Sequence, residues 1–327
     1  MAATSDAYLR TQLEERRKRL QAAVAGADGD GLMAELLLEV DSALGRMDEG
    51  TYGICDECHD TIEKDRLLSD PLTRVCLDHL SAPERRALEN DLELAANVQR
   101  GLLPGNNQRA AGWHIHYRYE PAGAVSGDYC DVIKSDGATG EVFFSVGDVS
   151  GKGVAASMLM THLHAMFRSL SGLGLPIDQL LARANSVFCE STTAGQYATL
   201  VCGRAKATGE VELSSAGHLP ALLLRRDGVR SLAATGLPLG MFSSGKYPLE
   251  KVALERGDNL VLYTDGLTET LGGASDEFGI DRLARFFEGR HATPPETLTA
   301  ACLKEIGKFS ANTPPKDDRT ILVLHRE

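Results

Sequence analysis

VFFSVGDVSGKGVAASMLM, running from Val142 to Met160, is the stretch on which the reading of this chain turns. Val142 to Val146 is short, apolar and rich in β-formers, the pattern of a buried strand. Val154 to Met160 reads as a helix. Between them Gly147-Asp148-Val149-Ser150-Gly151-Lys152-Gly153 sets Asp148 where a strand gives way to a glycine-rich turn. Gly151 and Gly153 let the backbone bend close to an ion or a phosphate. Alone, such a corner is more often a plain βα turn than a metal site. Three further carboxylate clusters at strand ends give it weight: Asp128 and Asp131 in SGDYCD, Asp265 in YTDGLTET, and Asp317 and Asp318 in KDDRTILVL.

Aspartate is a short, hard-oxygen ligand that suits Mg or Mn, and no His/Cys cluster in this part of the chain favours zinc. Carboxylates converging with no basic residue between them repel one another unless a cation neutralises them. Two divalent ions about 3.5–4 Å apart can generate a hydroxide at neutral pH and hold phosphoryl oxygens for in-line attack.

With 327 residues, of which 43% are hydrophobic, the chain has room for two domains and an ample core. No segment approaches the roughly 18 apolar residues of a membrane span. The first residues, MAATSDAYLRTQLEERRKRL, lack the apolar region of a signal peptide. A net charge of −12 argues against a nucleic-acid tracker. The plain reading of that acidity is solubility; the sharper one is that many carboxylates are metal ligands. Seven cysteines, an odd number in a chain of this size, do not form a secreted disulfide scaffold. A reducing cytoplasm is the expected location, with no membrane and no nucleic acid as partner.

Residues 6–24 and 32–47 read as two helices joined by a turn at 26–31, giving a helical hairpin over 1–48. Leu9, Leu13 and Leu20 line the first; Leu32, Leu36, Val40, Leu44 and Met47 stripe the second. Residues 49–80 hold Cys55-x2-Cys58 and Cys76-x2-His79, separated by 17 residues, the spacing of a closed tetrahedral zinc site. Three thiols and an imidazole leave no open position, so the single Zn is structural and stands in for a core too small to fold alone. The stretch resembles the DksA/TraR-type zinc finger, whose members share the GTYGxCxxC opening. His79 stands where that family usually has cysteine, and the hairpin is short beside the coiled coil such regulators insert into RNA polymerase.

Over 81–104 a helix from Glu84 to Leu103 carries Leu88, Leu92, Ala95, Gln99 and Leu102 at seam spacing, which predicts a homodimer through this linker helix. Pro104-Gly105 stops it. Residues 105–327 form the remaining domain. Strands are expected at 113–120, 197–206, 211–216, 221–225, 259–264 and 320–325, and helices at 154–171, 177–191, 281–288 and 295–309. Runs of strands interrupted by paired helices predict an α+β layered sandwich.

From about residue 90 to the end, LELAANVQRGLLP, YEPAGAVSGDYCD, VGDVSGKGVAASMLM, SAGHLPALLL, GLPLGMF, VLYTDGLTET, EFGIDRL and KDDRTILVL follow one another in order. In this the chain resembles the SpoIIE/RsbU branch of the metal-dependent serine/threonine protein phosphatases (PPM). The resemblance implies two central β-sheets flanked by helices around two Mn or Mg ions. It implies that Asp148 bridges both ions, that the Val149 carbonyl completes one shell, that Asp265 and Asp317 are ligands, and that Asp128 is the remaining acidic position. Asp131, Asp318 and Gly266 are further cofactor-binding candidates. Ser126, Cys130 and Ala155 depart from the family pattern without removing a ligand.

The same resemblance implies hydrolysis of a phosphoserine or phosphothreonine protein by a metal-bound hydroxide. The substrate it suggests is a phosphorylated anti-sigma-factor antagonist of the STAS-domain kind, with the zinc module and linker helix regulating the activity. The alternative is a transcription-associated regulator that binds RNA polymerase and carries a non-catalytic phosphatase-like domain. His218 in AGHLP reads as a structural turn histidine rather than a general acid or base. Lys152 either touches phosphate or faces solvent. No obvious arginine is present to clamp a phosphate. Cys130, Cys189, Cys202 and Cys302 read as small core residues.

Overall fold

The computed structural model describes residues 2–327 apart from 27–30, 135–139, 194, 234–235, 274–275 and 312. The chain divides into two compact units, Met1–Asn90 and Asp91–Glu327.

In the first unit, α1 (Ala2–Gly26) packs against α2 (Gly31–Glu49). Leu13 of α1 and Val40, Ala43 and Leu44 of α2 are buried together. Leu32, expected on the buried stripe, is 61% exposed. The expected turn at 26–31 falls mostly on residues 27–30, outside the described residues. A short helix, α3 (Lys64–Ser69), and a 3-10 turn at Leu77–His79 frame a second small core of Leu9, Cys55, Ile62, Leu67 and Cys76. Helix α4 (Ala82–Leu102) starts with a capping box: Ser81 N donates to Glu84 Oε2 at 2.9 Å and Glu84 N to Ser81 Oγ at 3.4 Å.

The second unit is a four-layer sandwich. Its strands are β1 (Asn107–Ala110), β2 (Trp113–Glu120), β3 (Tyr129–Lys134), β4 (Glu141–Val149), β5 (Ala198–Lys206), β6 (Glu210–Ala216), β7 (Ala221–Arg225), β8 (Gly228–Leu232), β9 (Glu250–Ala253), β10 (Asn259–Tyr263) and β11 (Arg319–Arg326). Its further helices are α5 (Gly153–Ser171), α6 (Ile177–Ser191), α7 (Asp265–Thr268), α8 (Gly279–Phe287) and α9 (Pro295–Phe309). One sheet runs β1-β2-β11-β10-β7-β8 and the other β3-β4-β5-β6-β9, with every pairing antiparallel.

The alternation of apolar residues along these strands decides the layering. Trp113, Ile115, Tyr117, Leu322 and Leu324 of one sheet meet Val132, Val142, Phe144, Val146 and Val201 of the other in the central core. Phe143, Leu200 and Cys202 point the opposite way, onto Leu163, Phe167, Leu181 and Phe188 of α5 and α6. Leu222, Val261, Ile321 and Val323 pack under Leu283, Phe287, Leu298 and Ile306 of α8 and α9. The expected α+β architecture of two central sheets flanked by helices is the one observed. Strands β1, β8 and β9 had no apolar signature to announce them. They lie at sheet edges, and their sequences NQRA, GVRSL and EKVA are largely polar.

Candidate active site

Antiparallel pairing brings the acidic clusters to one end of the sandwich. Tyr129 lies opposite Gly147 in the β3/β4 pair, so residue 128 sits beside residue 148. Tyr263 lies opposite Ile321 in the β10/β11 pair, so Asp265 sits beside the KDD turn. Asp148, Val149, Asp265, Asp317 and Asp318 line one cleft of about 430 Å³, together with Lys152, His218 and Glu269.

The carboxylates feel each other. Burial, and then the charges of Asp265, Asp317 and Asp318, push Asp148 up to about 7. Burial and Asp317 push Asp265 upward as well. Asp128 lies beneath, 1% exposed, and burial drives its carboxyl well above the usual range. Two hydroxyls, Thr264 Oγ1 at 2.8 Å and Thr320 Oγ1 at 2.5 Å, donate to its Oδ2.

Three candidates have other work. Asp131 is not brought to the cleft: it is fully buried, and Arg168 grips both its oxygens at 2.7 Å. Asp131 lies within β3, whereas Asp128 stands just before the strand begins. Asp318 accepts from Ala122 N at 2.8 Å and Gly127 N at 2.9 Å, which pins the β2–β3 loop to the start of β11. Gly266 is needed for close approach, because a Cβ there would come within 1.9 Å of the Asp318 carbonyl oxygen.

Lys152 neither faces bare solvent nor stands clear of the acids, since its Nζ donates to Asp317 Oδ2 at 2.7 Å. The cleft therefore does hold a basic residue among its carboxylates. His218 is structural: it is 4% exposed, and its ring meets Thr199 Oγ1 at 2.8 Å and the Tyr263 carbonyl at 3.1 Å. Burial pulls it down to about 4, so it stays neutral. Glu269 was missed in the sequence, although it follows Asp265 by one helical turn. Gln99, expected on a dimer seam, is buried and exchanges hydrogen bonds with the Ser126 backbone at 2.7 and 3.0 Å.

Hard oxygen donors that repel one another suit Mg or Mn, so the residues present fit such ions. In the first unit Cys55, Cys58, Cys76 and His79 bring their ligand atoms within 4.8 Å of one another. Cys58 Sγ and Cys76 Sγ are 3.8 Å apart and His79 Nδ1 is 3.2 Å from Cys76 Sγ. Three sulfurs and one imidazole nitrogen at these separations fit a tetrahedral zinc. Burial opposes the Cys55 thiolate, but the amides around it bring it down to about 6.

Residues 138–327, more than half of the chain, match the family described as Stage II sporulation protein E (SpoIIE). The chain belongs to the SpoIIE family. Residues 50–78 match the prokaryotic dksA/traR C4-type zinc finger. Phosphoserine phosphatase RsbU of Bacillus subtilis is 29% identical over 188 residues, covering 57% of this chain and 55% of RsbU. The RsbU and RsbW domains of Rv1364c from Mycobacterium tuberculosis superpose with a TM-score of 0.56 at 28% identity, covering 69% of this chain and 62% of that one. The SiaA-PP2C domain of Pseudomonas aeruginosa shares the fold at a TM-score of 0.66 and 18% identity, covering 76% of this chain and 100% of that domain. The chain spans about half the length, or less, of the curated relatives it matches. Among the described residues no helix is long and apolar enough to cross a membrane.

Proposed function

We propose that this chain removes phosphate from phosphoserine or phosphothreonine on a protein partner. One observation carries the reading: Asp148, Asp265 and Asp317 gather along a single cleft, at a cost in repulsion that Lys152 offsets only in part and that bound cations would relieve. We assign Asp148, the Val149 carbonyl, Asp265 and Asp317 to two Mn or Mg ions, with Asp128 contributing from beneath. When bound, such ions polarise the phosphoryl group and make a nucleophile of water at neutral pH.

The chain's own residues do the positioning. Thr264 and Thr320 hold Asp128. Asp318 fixes the loop that carries Gly127, and neutral His218 ties β5 to the end of β10. Lys152 stands at the mouth of the cleft, where its ammonium can donate to a phosphoryl oxygen. The buried thiols of the second unit offer no competing nucleophile. Burial holds the Cys130 and Cys202 thiols well above their ordinary value and pushes Cys302 up to about 12.

The partner we favour is a phosphorylated STAS-domain anti-sigma-factor antagonist in the cytoplasm, which agrees with seven cysteines that are all free. A second copy of the chain would pair along α4, where Leu88, Leu94 and Val98 are 40%, 63% and 64% exposed. The zinc module would then be regulatory. The acidic set tells against a purely polymerase-binding role. The test is Mn-dependent phosphate release from phosphorylated candidate proteins by the full chain, alongside Asp148→Asn and Asp265→Asn. Each variant should lose about 100-fold or more, as expected when several kcal/mol of Lewis-acid stabilisation goes. Wild-type rates in both would sink the ligand assignment.

A further inference from the structure

Arg319 opens β11 and is only 7% exposed, yet among the described residues no carboxylate forms an ion pair with it; the opposite charge it feels is that of Glu120, across from it on β2. Among the described residues its guanidinium makes a single hydrogen bond, from Nη2 to Thr270 Oγ1 at 3.1 Å, while Nε is buried with no partner at all. Buried cations are normally paired, and arginine cannot shed its proton to escape the cost. An apolar side chain of similar length would fill the same space without that penalty.

The group is also held in place. Its stem passes against Gly266, where an added Cβ would lie 3.3 Å from Arg319 Cγ. The Thr270 hydroxyl that receives it is itself bonded to the Gly266 carbonyl at 2.7 Å. Arg319 lines a cavity of about 470 Å³ between the turn after α7 and the segment before β11. This cavity shares Lys152, Glu269 and Asp317 with the acidic cleft, and Lys316 and Glu277 complete its charged lining beside Arg319.

A buried, oriented guanidinium with an unpartnered Nε and no ion-paired carboxylate, in a cavity that opens onto the cleft, points to a negatively charged ligand. We infer that this cavity is an oxyanion subsite with Arg319 as its fixed donor. It takes a carboxylate or a phosphate: either an acidic side chain next to the phosphorylated residue, or the phosphate released from it. The choice between those sources rests on the phosphatase reading; the existence of the subsite does not.

The first arm of the test needs no activity. Metal-free full chain is melted in inorganic phosphate and in sodium chloride of equal ionic strength, with Trp113 fluorescence as the probe. Phosphate should raise the wild-type midpoint, while Arg319→Met should lose most of that rise and Arg319→Lys should keep part of it. Equal responses in all three proteins overturn the proposal. The second arm compares phosphoserine peptides with Glu or Ala near the phosphoserine. A preference of about 10-fold in KM for Glu, lost in Arg319→Met, identifies the carboxylate as occupant. No preference, with phosphate inhibition about 10-fold weaker in the variant, identifies released phosphate. If neither protein hydrolyses any peptide, the phosphatase reading fails while the melting arm still decides the subsite.

Discussion

Thr320 Oγ1 donates a 2.5 Å hydrogen bond to Oδ2 of Asp128, joining one sheet to the residue that precedes the first strand of the other. Thr264 Oγ1 donates to the same oxygen at 2.8 Å and accepts the Thr320 amide at 3.0 Å. One buried carboxylate thus fastens the two sheets directly below the acidic cleft. Neither threonine is a candidate ligand, yet both decide where Asp128 stands.

Thr320→Val and Thr264→Val each leave that carboxylate with one donor fewer. Each should destabilise the second unit by about 1–3 kcal/mol, the range for a buried polar group losing its partner. The pair should be non-additive, because both hydroxyls serve one oxygen. Trp113, the sole tryptophan, is fully buried in the central core, so its fluorescence in urea reads this unit alone. Unchanged midpoints in both variants would remove the fastening role.

Asp131 and Arg168 give a second test. Arg168→Met strands a fully buried carboxylate and should cost about 3–5 kcal/mol, reduced because the arginine is half in solvent. Adding Asp131→Asn should restore much of the loss. If Asp131 is no ligand, the double variant keeps wild-type Mn affinity by calorimetry. A tenfold weaker affinity would return Asp131 to the metal site.

The layers and most elements were legible in the sequence because strands with one buried face alternate and buried helices repeat at their own period. Strand β2 and helix α9 fall where those periods put them. Polar edge strands carry no such pattern, which hid β1, β8 and β9. At the site, motif order identified Asp148, Asp265 and Asp317 as candidates. What short strings cannot convey is orientation: Asp131 and Asp318 sit within the same motifs, but one faces Arg168 and the other caps a loop. Lys152 and Arg319 were underread for the same reason, since their surroundings are built from residues far away in the chain.

Removal of zinc should unfold the first unit's smaller core. Cys55 and Cys76 are themselves core members beside Leu9, Ile62 and Leu67, so losing the metal leaves converging thiols in an apolar setting. Chelation, or Cys76→Ser, should lower far-UV helicity and expose the first unit to protease while Trp113 fluorescence stays native. His79→Cys should retain one zinc per chain by atomic absorption. A Cys76→Ser protein with full zinc content would refute the four-ligand site.

Protons and divalent ions should compete in the acidic cleft. Asp148 is raised to about 7, so in the metal-free protein its neutral form is favoured below that pH. An acid whose folded pKa lies above its unfolded value of about 3.9 adds stability below that value. That contribution fades as pH rises through 7. The metal-free second unit should accordingly melt higher at pH 5 than at pH 8, and Asp148→Asn should flatten the difference. A divalent ion needs the ionised carboxylate, so its apparent affinity should fall below pH 7 by up to about tenfold per pH unit for each proton displaced. Calorimetry in buffers of different ionisation enthalpy counts those protons. Proton release near zero at pH 6 would mean that Asp148 is already ionised and that the repulsion inferred in the cleft is absent.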